Sequence, residues 1–288
     1  MISRRSLLKS LAVGTAAAAA LPGTLLAQTA DSIEALTVKG DIRQSVSRWC
    51  FGNIPMEEFC KICKKLGMVG IDLVGENDWD VVNKHDMIVT MGSGVGGIDR
   101  GFNRLENHDR LVEGFSRLIP IAAEKKVPNL ICFSGNRDGM SDEEGLQNCV
   151  IGIKRLMPLA EQHGVTIQIE LLNSLVNHKD YQADKTPWAA EIVKQVGSER
   201  FKVLYDIYHM QIMEGNMIAN IRQYKDMIGH YHTAGVPGRR DLDDQQEIYY
   251  PAVMRAIKET GYKGFVAHEF QPKNGIESLR DAVKICDV

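Results

Sequence analysis

The 288-residue chain has no uninterrupted run of about 20 strongly apolar residues, so no lasting membrane anchor is expected. Its six cysteines, Cys50, Cys60, Cys63, Cys132, Cys149 and Cys286, share no repeated spacing, which argues against a disulfide framework. Cys60 and Cys63 form a CxxC, but it lies inside residues 56–66, whose apolar spacing is helical. Without a second ligand pair or a helix-start position, core packing explains it better than zinc or redox chemistry. No Pro/Gly/Ser-rich linker divides the chain, so one domain is expected. Basic charge is not in excess either: 34 Lys and Arg stand against 37 Asp and Glu, a net charge of −3. Nucleic acid and anionic membrane surfaces are therefore poor partners. No GxGxxG follows the first strand-like segment, which speaks against a dinucleotide-binding sheet.

What is present begins with a targeting pattern. Ser3-Arg4-Arg5-Ser6-Leu7-Leu8-Lys9 resembles a twin-arginine export signal, and an Ala-rich apolar stretch follows it over residues 11–20. That stretch is interrupted by Gly14, Thr15, Pro22 and Gly23. Residues 1–30 are thus expected to be a signal peptide cut after Ala27 or Ala30, leaving one domain over residues 31–288 in the periplasm. Loss of Arg4, Arg5 and Lys9 would leave the mature protein at about −6. Twin-arginine export carries folded proteins, which suits one that takes up a metal before leaving the cytoplasm, and folding in a reducing compartment makes disulfides unnecessary.

Through the remainder, short β-rich runs alternate with longer amphipathic segments, the pattern of βα units around a parallel sheet. Strands are predicted at residues 42–47, 69–74, 87–91, 129–133, 165–170, 201–206, 228–232 and 265–269. Helices are predicted at residues 56–66, 104–126, 143–163, 188–196, 217–224, 250–260 and 276–285, with a less marked one after Trp79. Gly67, Gly164, Gly197 and Gly261 stand where helices end in a left-handed residue. Eight strands, each leading to a helix, predict a (β/α)8 TIM barrel.

Four residues able to bind metal close successive strands: Glu170, Asp206, His232 and Glu269, at intervals of 36, 26 and 37 residues. A barrel of about 250 residues with eight units spends roughly 30 residues on each, so each ligand would come from a different strand. Strand alternation aims Val165, Ile167 and Ile169 at the helices and Thr166, Gln168 and Glu170 into the barrel. The same parity places Asp206, His232 and Glu269 at the carboxyl ends of their strands, where barrel enzymes keep their chemistry. One acidic residue at a strand end is most simply a cap for the next helix. Three converging carboxylates would repel one another unless a cation neutralised them. Three oxygen donors and one imidazole suit Mn²⁺, Mg²⁺ or Co²⁺ better than a thiolate-rich zinc site.

Further candidates surround this set. His209, three residues past Asp206, could donate to a substrate oxygen or simply cap a helix. Arg239 follows the turn Gly235-Val236-Pro237-Gly238 and suits a substrate carboxylate or alkoxide, as does Arg240. Trp49 and Phe51 read either as an apolar wall or as core, and residues 173–185 as a polar lid that includes Asn177, His178, Lys179 and Tyr181.

The motifs Ile169-Glu170-Leu171-Leu172-Asn173, Tyr205-Asp206-Ile207-Tyr208-His209, His232-Thr233-Ala234-Gly235-Val236-Pro237-Gly238-Arg239, Glu247-Ile248-Tyr249-Tyr250-Pro251 and His268-Glu269-Phe270 resemble those of the xylose isomerase-like barrels, and within them the hydroxypyruvate isomerase family. Similarity covers the mature chain and is most specific from residue 165 onward. The resemblance implies a divalent metal on Glu170, Asp206, His232 and Glu269, with Glu170 and Glu269 as the acid/base pair. It implies an isomerase that moves a proton through an enediolate of a small hydroxycarbonyl compound or sugar. Glu247 matches the family pattern as a loop anchor. One departure is informative: characterised hydroxypyruvate isomerases tend to carry Gln where this chain has His232, and His there is similar to the D-tagatose 3-epimerase relatives. A ketose 3-epimerase or sugar dehydratase is the enzymatic alternative, and a periplasmic sugar-binding barrel the non-enzymatic one. Retention of both glutamates favours catalysis. Endonuclease IV, another barrel relative, would need a richer His cluster and a basic face. Homo-oligomerisation is compatible with all of these readings.

Overall fold

Eight short strands form in the computed structural model, which describes residues 29–288. They are β1 (Gln44–Ser47), β2 (Gly70–Asp72), β3 (Ile88–Val89), β4 (Asn129–Cys132), β5 (Thr166–Glu170), β6 (Phe201–Asp206), β7 (Ile228–Thr233) and β8 (Val266–His268). Each lies within its predicted segment or exceeds it by one residue. The Arg4-Arg5 motif, the apolar stretch and the Ala27 cut lie outside the described residues. Among the described residues, no helix is long and apolar enough to cross a membrane.

All pairings are parallel, in the order β3-β2-β1-β8-β7-β6-β5-β4. The two ends meet through Gly92, whose N–H donates to Asn129 O at 2.8 Å and whose carbonyl accepts from Ile131 N at 3.2 Å. Gly92 lies just beyond β3, and its single bridges to Val74, past the end of β2, and to Leu130 in β4 join β3 to β4 and complete the barrel. A Cβ at residue 92 would lie 2.9 Å from both Leu130 and Trp79, so the closure needs glycine.

Helices cover the outside: α1 (Met56–Lys65), α2 (Trp79–Lys84), α3 (Leu105–Glu124), α4 (Asp142–Lys154), α5 (Met157–His163), α6 (Thr186–Val196), α7 (Ile207–Met213), α8 (Met217–Gln223), α9 (Tyr250–Glu259) and α10 (Ile276–Cys286). Two features depart from the sequence reading. The single helix predicted over residues 143–163 breaks near Arg155 and restarts with Pro158 in its first turn, where the missing N–H costs nothing. An additional helix, α7, starts directly after Asp206. The four glycines predicted at helix ends all have left-handed φ, between +70° and +79°.

The core lies mostly between barrel and helices. Val165, Ile167 and Ile169 are buried there, whereas Gln168 points inward and donates to Asn129 Oδ1 at 2.8 Å. Cys60 and Cys63 are buried free thiols in the same layer, in keeping with a packing role. Ala30 belongs to it as well: its carbonyl accepts from Lys65 Nζ at 2.8 Å, and its N–H faces Glu58.

Candidate metal centre and active site

Glu170 and Asp206 end β5 and β6, His232 lies one residue before the end of β7, and Glu269 follows β8. A bulge aligns the histidine. Register between β6 and β7 shifts after Val203, where Ile228 pairs with Val203 but His230 pairs with Leu204. Gly229 is the extra residue, and a Cβ on it would come within 2.7 Å of Lys202. Beyond the bulge, His232 pairs with Asp206, so the two ligands stand side by side.

All four predicted ligands are buried, and one donor atom from each can be chosen so that all lie within 4.8 Å of one another. His232 Nδ1 sits centrally, 2.6 Å from Glu269 Oε2, 3.2 Å from Glu170 Oε1 and 3.9 Å from Asp206 Oδ2. Despite these distances, His232 Nδ1 and Glu170 Oε1 have no partner of hydrogen-bond geometry. Buried polar atoms without partners are costly, and a shared cation would satisfy both. Three carboxylate oxygens and one imidazole nitrogen fit a hard or borderline divalent ion.

Electrostatics set the two glutamates apart. Burial, reinforced by Glu269, pushes Glu170 up from 4.5 to about 7. Burial also acts to raise Glu269, but Arg239 and His232 outweigh it and hold that carboxyl down at about 2. Asp206 is raised by burial, against the pull of Arg239. His232 is held well above its ordinary range because the surrounding carboxylates outweigh its burial. Without a metal, the centre therefore holds an ionised Glu269, a Glu170 poised near neutrality and a cationic imidazole.

Arg239, and not Arg240, turns into the mouth. Its Nη2 contacts Asp206 Oδ2 at 3.0 Å and also Glu269 Oε2, while Nε donates to Glu269 O at 3.1 Å. Arg240 stays exposed. His209 is buried, and Nδ1 accepts the Asn173 backbone N–H at 3.0 Å. Burial and the Arg239 charge keep it far below its ordinary value, hence neutral. Nε2 lies 2.8 Å from Arg239 Nη1, which can only donate, so each ring nitrogen of His209 faces a donor and the imidazole is held against the guanidinium. In the segment over residues 173–185, His178 is half-buried, with its ring 5.3 Å from that of His209.

Three participants escaped the sequence reading. Trp49 is neither wall nor core: it is 46% exposed and donates from Nε1 to Glu269 Oε1 at 2.6 Å, whereas Phe51 joins the core. Asp72, at the end of β2, is fully buried, and its Oδ1 lies 2.9 Å from His232 Nε2. His230 Nε2 lies 2.9 Å from Asp72 Oδ2. The one available signal was an acid embedded in the apolar run Val69-Gly70-Ile71-Asp72-Leu73-Val74. Glu247 is an exposed loop residue whose Oε1 accepts from Gln211 at 2.9 Å, consistent with an anchor. Beside the mouth, a cavity of about 980 Å³ opens between the loop after β1 and the loop after β8, lined in part by Cys50, Asn53 and Asn274.

The sequence profile of the family described as the xylose isomerase-like TIM barrel matches residues 61–286. Hydroxypyruvate isomerase of Escherichia coli is 34% identical over 113 residues, which is 38% of this chain and 43% of that protein. 2-Oxo-tetronate isomerase of Cupriavidus necator is 34% identical over 116 residues, 40% of this chain and 44% of its own length. The matched stretches thus span less than half of either relative. Among solved structures, the E. coli 3-keto-D-glucoside 4-epimerase superposes with a TM-score of 0.71 at 18% identity, covering 84% of this chain and 98% of that one.

Proposed function

The chain belongs to the xylose isomerase-like TIM barrel family, and from that premise we propose that it is a divalent-metal-dependent isomerase of a small hydroxycarbonyl compound or sugar. The observation that carries this reading is the convergence of Glu170 and Glu269 on His232 Nδ1, one carboxyl pushed up and the other held down, with His232 Nδ1 and Glu170 Oε1 left without hydrogen-bond partners. Glu170, Asp206, His232 and Glu269 would hold the ion, Mn²⁺, Mg²⁺ or Co²⁺. Bound there, it would neutralise charge developing on the carbonyl and adjacent hydroxyl oxygens of the substrate.

The protein's own groups account for the rest. An ionised carboxylate, Glu170 or Glu269, can take the proton from the carbon that bears the hydroxyl and return it to the neighbouring carbonyl carbon, while the hydroxyl proton passes to the former carbonyl oxygen. The Arg239 guanidinium would donate to a substrate oxygen, and His209, packed against it, would help to orient that oxygen. Trp49 fixes the Glu269 carboxylate through Oε1. Sequence relatives named as hydroxypyruvate and 2-oxo-tetronate isomerases support a small hydroxycarbonyl substrate.

His232 and the epimerase-type neighbour in structure favour a second reading, ketose 3-epimerisation, in which the proton returns to the same carbon from the other face. Export by the twin-arginine route and a periplasmic location are part of the proposal. Packing of Ala30 into the core supports a cut after Ala27 over one after Ala30. One experiment separates the chemistries: metal-loaded protein is incubated in deuterated water with hydroxypyruvate and a panel of ketoses, and solvent exchange is followed by NMR. Deuterium on the neighbouring carbon indicates isomerisation, and deuterium at an inverted carbon indicates epimerisation. No exchange across the panel with Mn²⁺ or Mg²⁺ would sink both, and sugar binding without exchange would point to a binding protein.

A further inference from the structure

We infer that Asp72 is the positioning residue for the metal centre: its carboxylate holds the proton of His232 on Nε2 and thereby presents Nδ1 to the ion. This rests on the metal-centre reading above and adds to it a residue from the opposite half of the barrel. His232 and Asp72 stand 160 positions apart in sequence, yet both side chains are fully buried and Nε2 lies 2.9 Å from Asp72 Oδ1. An imidazole that donates from one nitrogen leaves the other free as a ligand, which is how buried carboxylates commonly fix metal-binding histidines.

Asp72 is itself held in place. Thr90 Oγ1 donates to Oδ2 at 2.6 Å and touches Ser45 Oγ at 3.0 Å, tying the carboxylate to β1 and to the residue that follows β3. His230, two residues before His232 on β7, brings Nε2 to 2.9 Å from the same Oδ2. The rings of His230 and His232 stand edge to face, 5.3 Å apart, so neither can turn freely. Oδ1 is thus left to His232. These three residues also lie close enough to hold an ion of their own. Thr90 and His232 each hydrogen-bond one oxygen of Asp72, whereas neither ring nitrogen of His230 has a partner of hydrogen-bond geometry, so the stoichiometry of metal binding distinguishes a positioning carboxylate from a second ion site.

The test compares wild type with Asp72→Asn, which keeps the size of the side chain but leaves one acceptor oxygen where Thr90, His230 and His232 all approach. Titration of Mn²⁺ by calorimetry should give one ion per chain in both, bound about 10- to 100-fold more weakly by the variant. Nitrogen NMR of wild-type protein loaded with diamagnetic Zn²⁺ should show His232 coordinated through Nδ1 with Nε2 still protonated, and it decides the matter even if the variant fails to fold. Coordination through Nε2, two ions per chain, or a folded variant with affinity within twofold of wild type would each overturn the role of Asp72. Wild type that binds neither Mn²⁺ nor Zn²⁺ would instead remove the metal centre itself, and the positioning role with it.

Discussion

The two halves of the barrel are built differently. Strands β5, β6 and β7 run five or six residues, and together with the end of β8 they supply all four candidate ligands. Strands β1 to β4 run two to four residues and supply none of the four, and the barrel closes on their side through Gly92. Yet the shorter half sends Trp49 to Glu269 and Asp72 to His232. Strands β5 to β7, with β8, hold the candidate ligands, and the half with β1 to β4 supplies contacts that orient two of them. The difference teaches that ligand identity and ligand orientation are encoded in separate stretches of sequence.

The contrast can be broken most completely from the ligand side. Glu170→Gln and Glu269→Gln should each lower turnover by about 10³-fold or more in the solvent-exchange assay, because each removes a proton carrier and a metal oxygen together. Survival of activity in both variants would end the proton-transfer assignment. From the orienting side, Trp49→Phe deletes one hydrogen bond to a charged group, worth about 1.5–3 kcal/mol. A drop in kcat/KM of about 10- to 100-fold is expected, with Mn²⁺ affinity changing much less, and unchanged kinetics would reduce Trp49 to a bystander. At the closure, Gly92→Ala crowds Leu130 and Trp79 and should cost about 1–3 kcal/mol in denaturant unfolding. It should leave kcat intact in the folded fraction, and lost turnover in fully folded protein would show that the two halves are not separable.

The smallest effect concerns pH. Glu170 is raised from 4.5 to about 7, so folding takes up a proton between those values. Stability associated with the protonated form is present below 4.5 and is lost as pH rises through 7. Glu269 has the opposite sign, but its transition lies lower, between 4.5 and about 2, outside the neutral window. Buried His209, His230 and His268 are lowered and act in the opposite direction over the same window, so the contribution of Glu170 is read by comparison with Glu170→Gln: between pH 5 and pH 8 metal-free wild type should lose more melting temperature, or gain less, than the variant, roughly 2–4 °C for each kcal/mol of difference. Added Mn²⁺, which prefers ionised Glu170, should cancel or reverse that difference. The same pH dependence of melting in metal-free wild type and Glu170→Gln would contradict the assigned state of Glu170.

Much of this was legible from sequence because strand alternation and the fixed level of strand ends are local properties. They suffice for all eight strands and for Glu170, Asp206, His232 and Glu269. Asp206 shows where local reading divides too sharply: cap and ligand were weighed as alternatives, and one carboxylate serves both readings. Its Oδ1 accepts the His209 N–H at 3.0 Å as the cap of α7, while Oδ2 faces the centre. Helix α7 was missed because it starts on the ligand itself, with no intervening loop. Asp72 and Trp49 were missed for another reason: their partners lie 160 and 220 positions away, and only closure of the barrel brings them together. Arg239 could not be separated from Arg240 because the choice depends on the turn before them, where Arg239 takes a φ of +56°.

The shared carboxylate of Asp206 has a thermodynamic consequence. His209, proposed above to help orient the substrate, has its own backbone N–H, in the first turn of α7, held by Asp206, a proposed ligand of the ion. Whatever binds at Oδ2 is then linked to the stability of that turn, and whatever engages His209 is linked through the turn to Oδ2. Linkage of this kind is reciprocal. If the ion firms the helix start and so strengthens substrate binding, substrate must strengthen retention of the ion by the same factor.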